Sequence, residues 1–434
     1  MARIKPFRGY RYRLQSSDEL GRYAAPPYDM IGSRRRDELY EQSPYNVVRI
    51  IQNRPEPGDR ANRDRHVRAR ELLSQWLSAG RLVQDTQPSL YVYRQIFTPP
   101  GDASSKPLVR TGLIAGVQLT DFSEGTVIPH ENTLSAPKED RYELLETLRC
   151  HTGQIFGIVP DEGDLVEVIN ACSEGPPAGS FTDEWGVRHE LRLTSDKALV
   201  DRAAEGMAEK RVLIADGHHR YETALGYARR SGDPASAYVM MTLVSMADPG
   251  LRIRPFHRLV RVRKEVASAD ALRRLQEFFE CRDAGEAAYD VVREFMARPE
   301  EAGMLYLDRA GGRLYRLVPN ETGERFLADE YPEHSAAWRH LNVSRINAIF
   351  VGGILGLPLD GTTLHDVMEY ENDAFEAWNR VRGSEEFYGA FFIHPLAVRT
   401  VEEIVAGGER MPQKSTNFFP KCYSGLVLCP MENA

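Results

Sequence analysis

The chain has 434 residues, of which 42% are hydrophobic and 27% are charged, a composition typical of folded proteins that excludes general disorder. Its formal net charge of −8 disfavours nucleic acid as a partner, although residues 1–36 are locally basic. The longest apolar run, INAIFVGGILGLPL at 346–359, is shorter than the roughly 20 residues of a membrane-spanning helix, so it predicts buried core and no membrane association. Five scattered cysteines without a C-x-x-C pair, and MARIKPFRGYRYR without a following apolar segment, indicate reduced thiols and a cytoplasmic protein.

The predicted elements alternate irregularly between helices and strands. In chain order they are a helix ending at Gly80, a hairpin at 89–97 and 108–119, a helix starting after Pro137, a helix and strand within 165–195, a strand and helix within 211–228, and a hairpin at 303–318. Hairpins among helices favour an α+β, or mixed α/β, fold over a uniform βαβ winding. Near residue 262 the sequence pattern changes from strand-like to helical. This change predicts an N-terminal α/β region at 1–262 and a C-terminal α+β region at 263–434.

RVLIADGHHRYETAL, residues 211–225, reads as a strand, a turn and a helix. Gly217 permits a tight turn at the junction. The first turn of the following helix would direct backbone N–H groups outward, an arrangement that suits phosphate or carboxylate. His218 belongs to this turn, and Arg220 adds a guanidinium able to bind two oxygens of an anion. The stretch therefore predicts an anion or phosphate site.

Asp216 ends the strand, where its carboxylate could hold Mg²⁺ or orient a histidine such as His219. Zinc held by both histidines is a competing interpretation. It is disfavoured because adjacent helical residues point about 100° apart, whereas zinc-binding helical histidines sit at i and i+4. A second competing interpretation is purely structural, with the histidines satisfying buried backbone groups.

VIPHENTLSAPKEDRYELLETL, residues 127–148, forms a second constellation. His130 and Glu131 do not begin a zinc protease motif, because Leu134 stands where the second histidine must be. Glu131, in a loop beside the substrate-side candidate His130, is the candidate general base. Lys138 and Arg141 in the first turn of the next helix are candidate phosphate ligands, against the alternative that they merely solvate the helix surface.

RMPQKSTNFFPK, residues 410–421, contains a third candidate. Lys414, Ser415 and Thr416 mimic the end of a Walker A loop, but Gln413 replaces the required glycine, so this is not a P-loop. A lysine followed by two hydroxyl residues can still bind phosphate from a loop, and an ordinary turn is the alternative. Asp29, within APPYDMI at 25–31, follows two prolines and is a candidate substrate contact.

Over essentially the whole chain, the sequence resembles the DUF1015 family of uncharacterised bacterial and archaeal proteins. The segments that carry the resemblance are those quoted above together with PFRGY, PYNVVRI, TGQIF, RIRPFHRLV and the final MPQKSTNFFPKCYSGLV. The family name implies no activity.

The His-Glu dipeptide followed by D-G-H-H-R also resembles, more distantly, the ParB/sulfiredoxin-like fold of free serine kinases. That resemblance implies that Glu131 is the base for a serine hydroxyl and that Asp216, His218, His219 and Arg220 handle phosphate and metal. It implies a ParB/sulfiredoxin-like core with large insertions, because 85 positions (216 − 131) separate the two motifs.

The leading hypothesis is therefore a Mg²⁺-dependent phosphotransferase that phosphorylates the hydroxyl of free serine or a similar small metabolite. The phosphate donor is left open among ATP, ADP and pyrophosphate. A ParB-like nucleotide-binding regulator and a phosphate-ester hydrolase are the alternatives, since both would use the same groups. Sulfiredoxin chemistry is disfavoured because no cysteine falls between Cys172 and Cys281.

Overall fold

A computed structural model describes residues 1–60, 62–99, 106–131, 138–161, 163–261 and 268–431. The chain folds into two units. The first contains the described residues within 1–129, 135–251 and 420–434, and the second those within 130–134 and 252–419. A unit defined by contacts is not the same thing as a domain that folds independently. The domain boundary predicted at residue 262 therefore stays a prediction.

The first unit is built around one nine-stranded sheet in the order β6-β11-β8-β12-β5-β4-β10-β9, with β1 paired to β5. The sheet is mixed, because β11 runs parallel to β6 and β12 parallel to β8, while the other neighbours are antiparallel. Two small ladders, β2 with β3 and β7 with β21, complete the strands. The strands are β1 Ile4–Lys5, β2 Tyr10–Tyr12, β3 Leu82–Gln84, β4 Leu90–Phe97, β5 Leu108–Gln118, β6 Val127–Pro129, β7 Cys150–His151, β8 Ile155–Val159, β9 Gly179–Thr182, β10 Arg188–Thr194, β11 Val212–Asp216, β12 Tyr238–Ser245 and, near the end of the chain, β21 Cys429–Pro430.

The helices of the first unit are α1 Ser33–Gln42, α2 Val48–Ile51, α3 Asn62–Ser78, α4 Lys138–Leu148, α5 Asp164–Cys172, α6 Lys197–Met207 and α7 His218–Ser231, with 3₁₀ turns at Ser17–Arg22, Tyr28–Met30, Phe122–Glu124 and Pro234–Ser236. Three of these helices, α5, α6 and α7, pack on the sheet around a core of buried residues that includes β4, β5, β8, β11 and β12. The predicted first hairpin is confirmed as β4 and β5, and the helix after Pro137 as α4. The predicted strand, turn and helix are confirmed as β11, Gly217 and α7.

The second unit has a six-stranded sheet in the order β15-β17-β16-β19-β14-β18 and a separate pair of β13 with β20. Its strands are β13 Arg252–Arg254, β14 His257–Arg261, β15 Phe279–Glu286, β16 Met304–Asp308, β17 Arg313–Pro319, β18 Met368–Glu371, β19 Phe387–Phe392 and β20 Asn417–Phe419. Its helices are α8 Ser268–Phe278, α9 Tyr289–Met296, α10 Glu321–Glu330, α11 Ala336–Arg339, α12 Asn342–Arg345, α13 Gly361–Val367, α14 Ala374–Gly383 and α15 Val398–Ala406. The predicted hairpin around AGG is confirmed as β16 and β17.

The predicted fold class, mixed α/β with helices and hairpins interleaved, is confirmed. The apolar run at 346–359 contributes a π-helical segment, Ile346–Ile354, whose large apolar side chains are buried. Among the described residues, no helix combines the length and apolarity needed to cross a bilayer.

Candidate functional site

The predicted anion site lies in the first unit, where β11 ends and α7 begins. We call Asp216, Gly217, His218, His219 and Arg220 the β11–α7 corner. Gly217 has φ +94°, in the left-handed region that favours glycine. A side chain there would also collide with the guanidinium, because a Cβ would lie 2.9 Å from Arg220 Nε. Glycine therefore lets the chain reverse and lets the arginine fold back over the turn.

Asp216 is held by two cations at this corner. Lys421 Nζ donates to Asp216 Oδ1 at 2.8 Å, and Arg220 Nη2 donates to Oδ2 at 2.7 Å. Burial alone would raise the pKa of Asp216, but the charges of Lys421 and Arg220 outweigh it and hold the pKa well below its usual range. The carboxylate is therefore ionised, and each of its oxygens already faces a positive charge.

Arg220 is fixed in place by a second contact. Its Nη1 donates to the backbone carbonyl of Gln154 at 2.5 Å, so the guanidinium bridges the end of β11 and the chain just before β8. Gly153 leaves room for this bridge, because a Cβ there would lie 2.9 Å from Ser424 Oγ and 3.6 Å from Arg220 Nη1. A guanidinium held from two sides loses less conformational entropy when it binds an anion.

Arg141, near the start of α4, is held in the same manner. Its Nη1 donates to the Ile51 carbonyl at 2.7 Å, its Nε donates to Asp140 Oδ2 at 3.0 Å, and its guanidinium lies 4.6 Å from the ring centre of Tyr28. Behind it, buried His66 lies 3.1 Å from Asp140 Oδ1 through Nε2. The hydrogen bond with His66 is the largest influence on Asp140 and lowers its pKa, although burial opposes it. Asp140 therefore stays ionised and orients Arg141.

The two arginines line one cleft in the first unit, although 79 positions separate them in sequence (220 − 141). We call it the α4–α7 cleft. Its walls come mainly from α4, β7, β8 and α7, and they are mostly apolar. The lining residues are Tyr28, Ile51, Arg141, Leu144, Leu145, Leu148, Cys150, His151, Thr152, Gly153, Ile155, Arg220, Thr223, Val239 and Ser424.

The residues present do not fit a magnesium centre at Asp216. Both carboxylate oxygens face cations, which compete with a divalent ion for the same lone pairs. Within the described part of the chain, no group of three or more His, Cys, Asp or Glu side chains is arranged to hold a metal.

The candidate base belongs to the second unit, in a cluster that we call the Glu131 cluster, made of His130, Glu131, Lys414, Ser415 and Thr416. Glu131 Oε1 accepts from the backbone N–H groups of Ser415 at 3.1 Å and Thr416 at 3.2 Å. Its Oε2 accepts from Lys414 N at 3.4 Å. Buried His130 lies 2.7 Å from Thr416 Oγ1 through Nε2. The loop amides that the sequence predicts as phosphate ligands therefore hold a carboxylate of the chain itself.

The loop that binds Glu131 is itself firmly held. Lys414 has φ +58°, an uncommon conformation for a residue with a side chain. Buried Arg258 donates from Nη2 to the Lys414 carbonyl at 2.9 Å, and the exposed Lys414 places Nζ 5.4 Å from the ring centre of Phe256. Burial lowers the pKa of Arg258 to about 10, while Tyr370 and Glu131 oppose that shift. Arg258 is therefore cationic at neutral pH and favours the anionic form of Glu131.

The remaining predicted site residues lie at the edges of these groups. His218 and His219 form the half-buried first turn of α7, and the charge of His218 acts on Asp216. Asp29 is exposed in the 3₁₀ turn that also carries Tyr28. α4 begins at Lys138, but the side chain of Lys138 lies outside the described part of the structure.

Sequence reasoning missed three residues of the first unit. Lys421, which pairs with Asp216, lies 205 positions farther along the chain, at the end of the RMPQKSTNFFPK stretch, from which only residues 414–416 are predicted as ligands. Thr223 and His66 read as ordinary helix positions. For Thr223 the signal available was its spacing, since it stands three residues after Arg220 and thus on the same face of α7.

The family model described as "Protein of unknown function (DUF1015)" matches residues 4–344. The chain belongs to this family. No curated protein matches it.

Three solved structures show distant similarity to this DUF1015 protein. A mutant free serine kinase in complex with AMP is 11% identical, with 71% of this chain and 86% of that chain covered and a TM-score of 0.37. SbnI with a C-terminal truncation from Staphylococcus aureus is 12% identical, covering 73% and 87%, with a TM-score of 0.35. A conserved hypothetical protein from Pyrococcus furiosus is 12% identical, covering 72% and 92%, with a TM-score of 0.33.

Proposed function

We propose that this protein is a phosphotransferase that moves a phosphoryl group from a phosphate donor to the hydroxyl of free serine or a similar small metabolite. The observation that carries the proposal is the cleft of the first unit, where Arg141 and Arg220 lie beside the start of α7. Phosphoryl transfer needs positioning and dispersed positive charge more than covalent help from the protein. Two fixed guanidiniums, a lysine and a helix start supply that charge.

In the proposed reaction the acceptor hydroxyl oxygen forms a bond to the terminal phosphorus of the donor. The bond between that phosphorus and the donor's bridging oxygen breaks, and its electron pair leaves on the donor. Glu131 takes the hydroxyl proton, a role that contributes roughly 10²- to 10⁴-fold in rate. The phosphoryl group is stabilised by Arg220 and the α7 start, with His218, His219 and Arg141 as further ligands.

The other predicted ligands have secondary roles in this proposal. Lys138 stays a predicted phosphate ligand, and Asp29 lies beside Tyr28 at the cleft. Lys414, Ser415 and Thr416 hold Glu131 through their amides. The donor is ATP, ADP or pyrophosphate. Magnesium that travels with such a donor is assigned no residue of this chain.

³¹P NMR of the full-length protein tests the proposal. The protein is incubated with Mg²⁺, serine and ATP, ADP or pyrophosphate in turn, and we expect a new phosphomonoester signal with at least one donor. Glu131→Gln should abolish the signal while donor binding, measured by calorimetry, is retained. Glu403→Gln is the matched control, because Glu403 is exposed and pairs only at the surface with Arg399. Unchanged turnover by Glu131→Gln would remove Glu131 as the base.

A second candidate function is nucleotide binding by a regulator without transfer. It is favoured by one observation, that Asp216 and Glu131 both already have hydrogen-bond donors on each oxygen. A carboxylate so satisfied is a weaker proton acceptor. Binding of a donor without any consumption of that donor would select this function, and formation of inorganic phosphate alone would select the hydrolase.

A further inference from the structure

The lining of the α4–α7 cleft limits the chemical class of ligand that can bind there. The larger part of its wall is apolar, with Leu144 and Leu148 from α4, Ile155 from β8 and Val239 from β12. The charged side chains that line it, among the described residues, are Arg141 and Arg220. A ligand that fits this lining has a compact apolar body and an anionic group.

Thr223 provides an unsatisfied polar group in the same wall. The residue is 6% exposed, and its Oγ1 has no hydrogen-bond partner among the described residues. A threonine inside a helix usually returns its hydroxyl to the carbonyl four residues earlier, and Thr223 does not. A buried hydroxyl without a partner costs free energy, which a ligand hydroxyl in the cleft would recover. Thr223 lies one helical turn from Arg220 on the same face of α7.

The charges around the cleft favour a ligand with one negative charge and no ammonium group. Two ion-paired groups flank the cleft, Arg141 with Asp140 and Arg220 with Asp216 and Lys421, and together they leave one net positive charge. Arg65 and Glu143 extend the first of these groups and cancel each other. Burial lowers the pKa of His151 to about 4, so its imidazole is neutral at neutral pH. Within the described lining, no carboxylate is available to a ligand ammonium.

We propose that the α4–α7 cleft binds a small aliphatic hydroxy acid, with the carboxylate on Arg141 and Arg220, the hydroxyl on Thr223 and the alkyl group on the leucine wall. The inference goes beyond the proposed function and concerns the cleft without a phosphate donor, because the carboxylate takes the two guanidiniums that the proposed reaction gives to the phosphoryl group. An amino acid would bring an ammonium between two guanidiniums and an aliphatic wall, where it is repelled and loses hydration.

Calorimetric titration of the full-length protein, without any phosphate donor, tests this inference. The probes are 2-hydroxyisovalerate, isovalerate and valine, which share one carbon skeleton and differ in hydroxyl, hydrogen or ammonium. We expect 2-hydroxyisovalerate to bind most tightly and valine at least about tenfold more weakly, because the ammonium is left unpaired. Inorganic phosphate is the fourth probe. Equal or tighter binding of valine, or binding of phosphate alone, would overturn the inference, as would the absence of binding by all three carboxylates.

A matched pair of threonine variants isolates the hydroxyl. Thr223→Val should weaken 2-hydroxyisovalerate about three- to tenfold and leave isovalerate unchanged, because only one hydrogen bond is lost. Thr223→Ser, which keeps the hydroxyl, should restore the affinity. Thr242→Val is the control, because Thr242 Oγ1 is also buried and unpartnered within the described residues but does not line the cleft. The same loss in both valine variants would show that Thr223 does not contact the ligand.

The two proposals fail in different ways. Phosphoryl transfer to serine without binding of 2-hydroxyisovalerate would end the cleft inference and keep the phosphotransferase. Binding of 2-hydroxyisovalerate without consumption of any donor would keep the cleft assignment and end the phosphotransferase.

Discussion

Two carboxylates, one in each unit, are held by different chemistry. Asp216 in the first unit is paired with side-chain cations, Lys421 and Arg220. Glu131 in the second unit is bound by backbone amides of residues 414–416. Lys421 can turn from Asp216 to an incoming anion, because its ammonium carries three donors on rotatable bonds, while Arg220 stays fixed beside it. Backbone amides in a fixed loop cannot turn in this way. The β11–α7 corner is therefore built to exchange partners, and the Glu131 cluster to hold one carboxylate still.

The largest effect is expected when one of the two cations paired with Asp216 is removed. Lys421→Met should lower the free energy of unfolding by about 2 to 3 kcal/mol, less than for a fully buried pair because Asp216 keeps Arg220. Adding Asp216→Asn should deepen the loss, because Arg220 then loses its carboxylate partner as well. Urea denaturation measures both.

The control for Lys421→Met is Lys197→Met, which removes an 87% exposed lysine paired with Asp201. We expect it to leave the free energy of unfolding nearly unchanged, because an exposed ion pair contributes little. Equal losses of stability at the two positions would show that the Lys421–Asp216 ion pair stabilises the fold no more than a surface ion pair does.

A smaller effect is expected at the amide-bound carboxylate. Glu131→Gln keeps one accepting oxygen and should cost about 1 to 2 kcal/mol, because it loses charge-assisted hydrogen bonds. The amides of residues 414–416 should exchange with solvent faster in this variant. Hydrogen exchange of the peptide that carries them makes the measurement. Unaltered exchange at those amides would mean that Glu131 does not hold the loop in solution.

The smallest effect is expected for the dependence of the free energy of unfolding on the ionisation of Asp216, which changes only at acid pH. The folded pKa of Asp216 is depressed, so its stabilisation is complete above the unfolded pKa, about 3.9, and is lost as the pH falls from there toward the folded pKa. The wild-type protein should therefore lose more stability than Asp216→Asn as the pH is lowered below about 4. Denaturation between pH 6 and pH 2.5 tests this. Parallel pH profiles for the two proteins would contradict it.

The sequence predicted the local elements well because their signals are local. β11, Gly217 and α7 follow from an apolar run, a glycine and a helical period, and β4 with β5 follows from two strand-like runs around a turn. It could not predict the partners of these elements. Lys421 and Asp216 are 205 positions apart, and only the packing of the first unit brings their charges together.

By itself, the sequence determined which side chains carry chemistry, since DGHHR, HENT and KST each concentrate functional groups in a few residues. The tertiary structure decided what those groups touch: the KST amides bind Glu131, and Arg220 joins Arg141 at one cleft. The physical reason is that an ionic or hydrogen-bonding group contacts whatever partner the packed chain brings within about 3 Å, and sequence separation has no bearing on that distance.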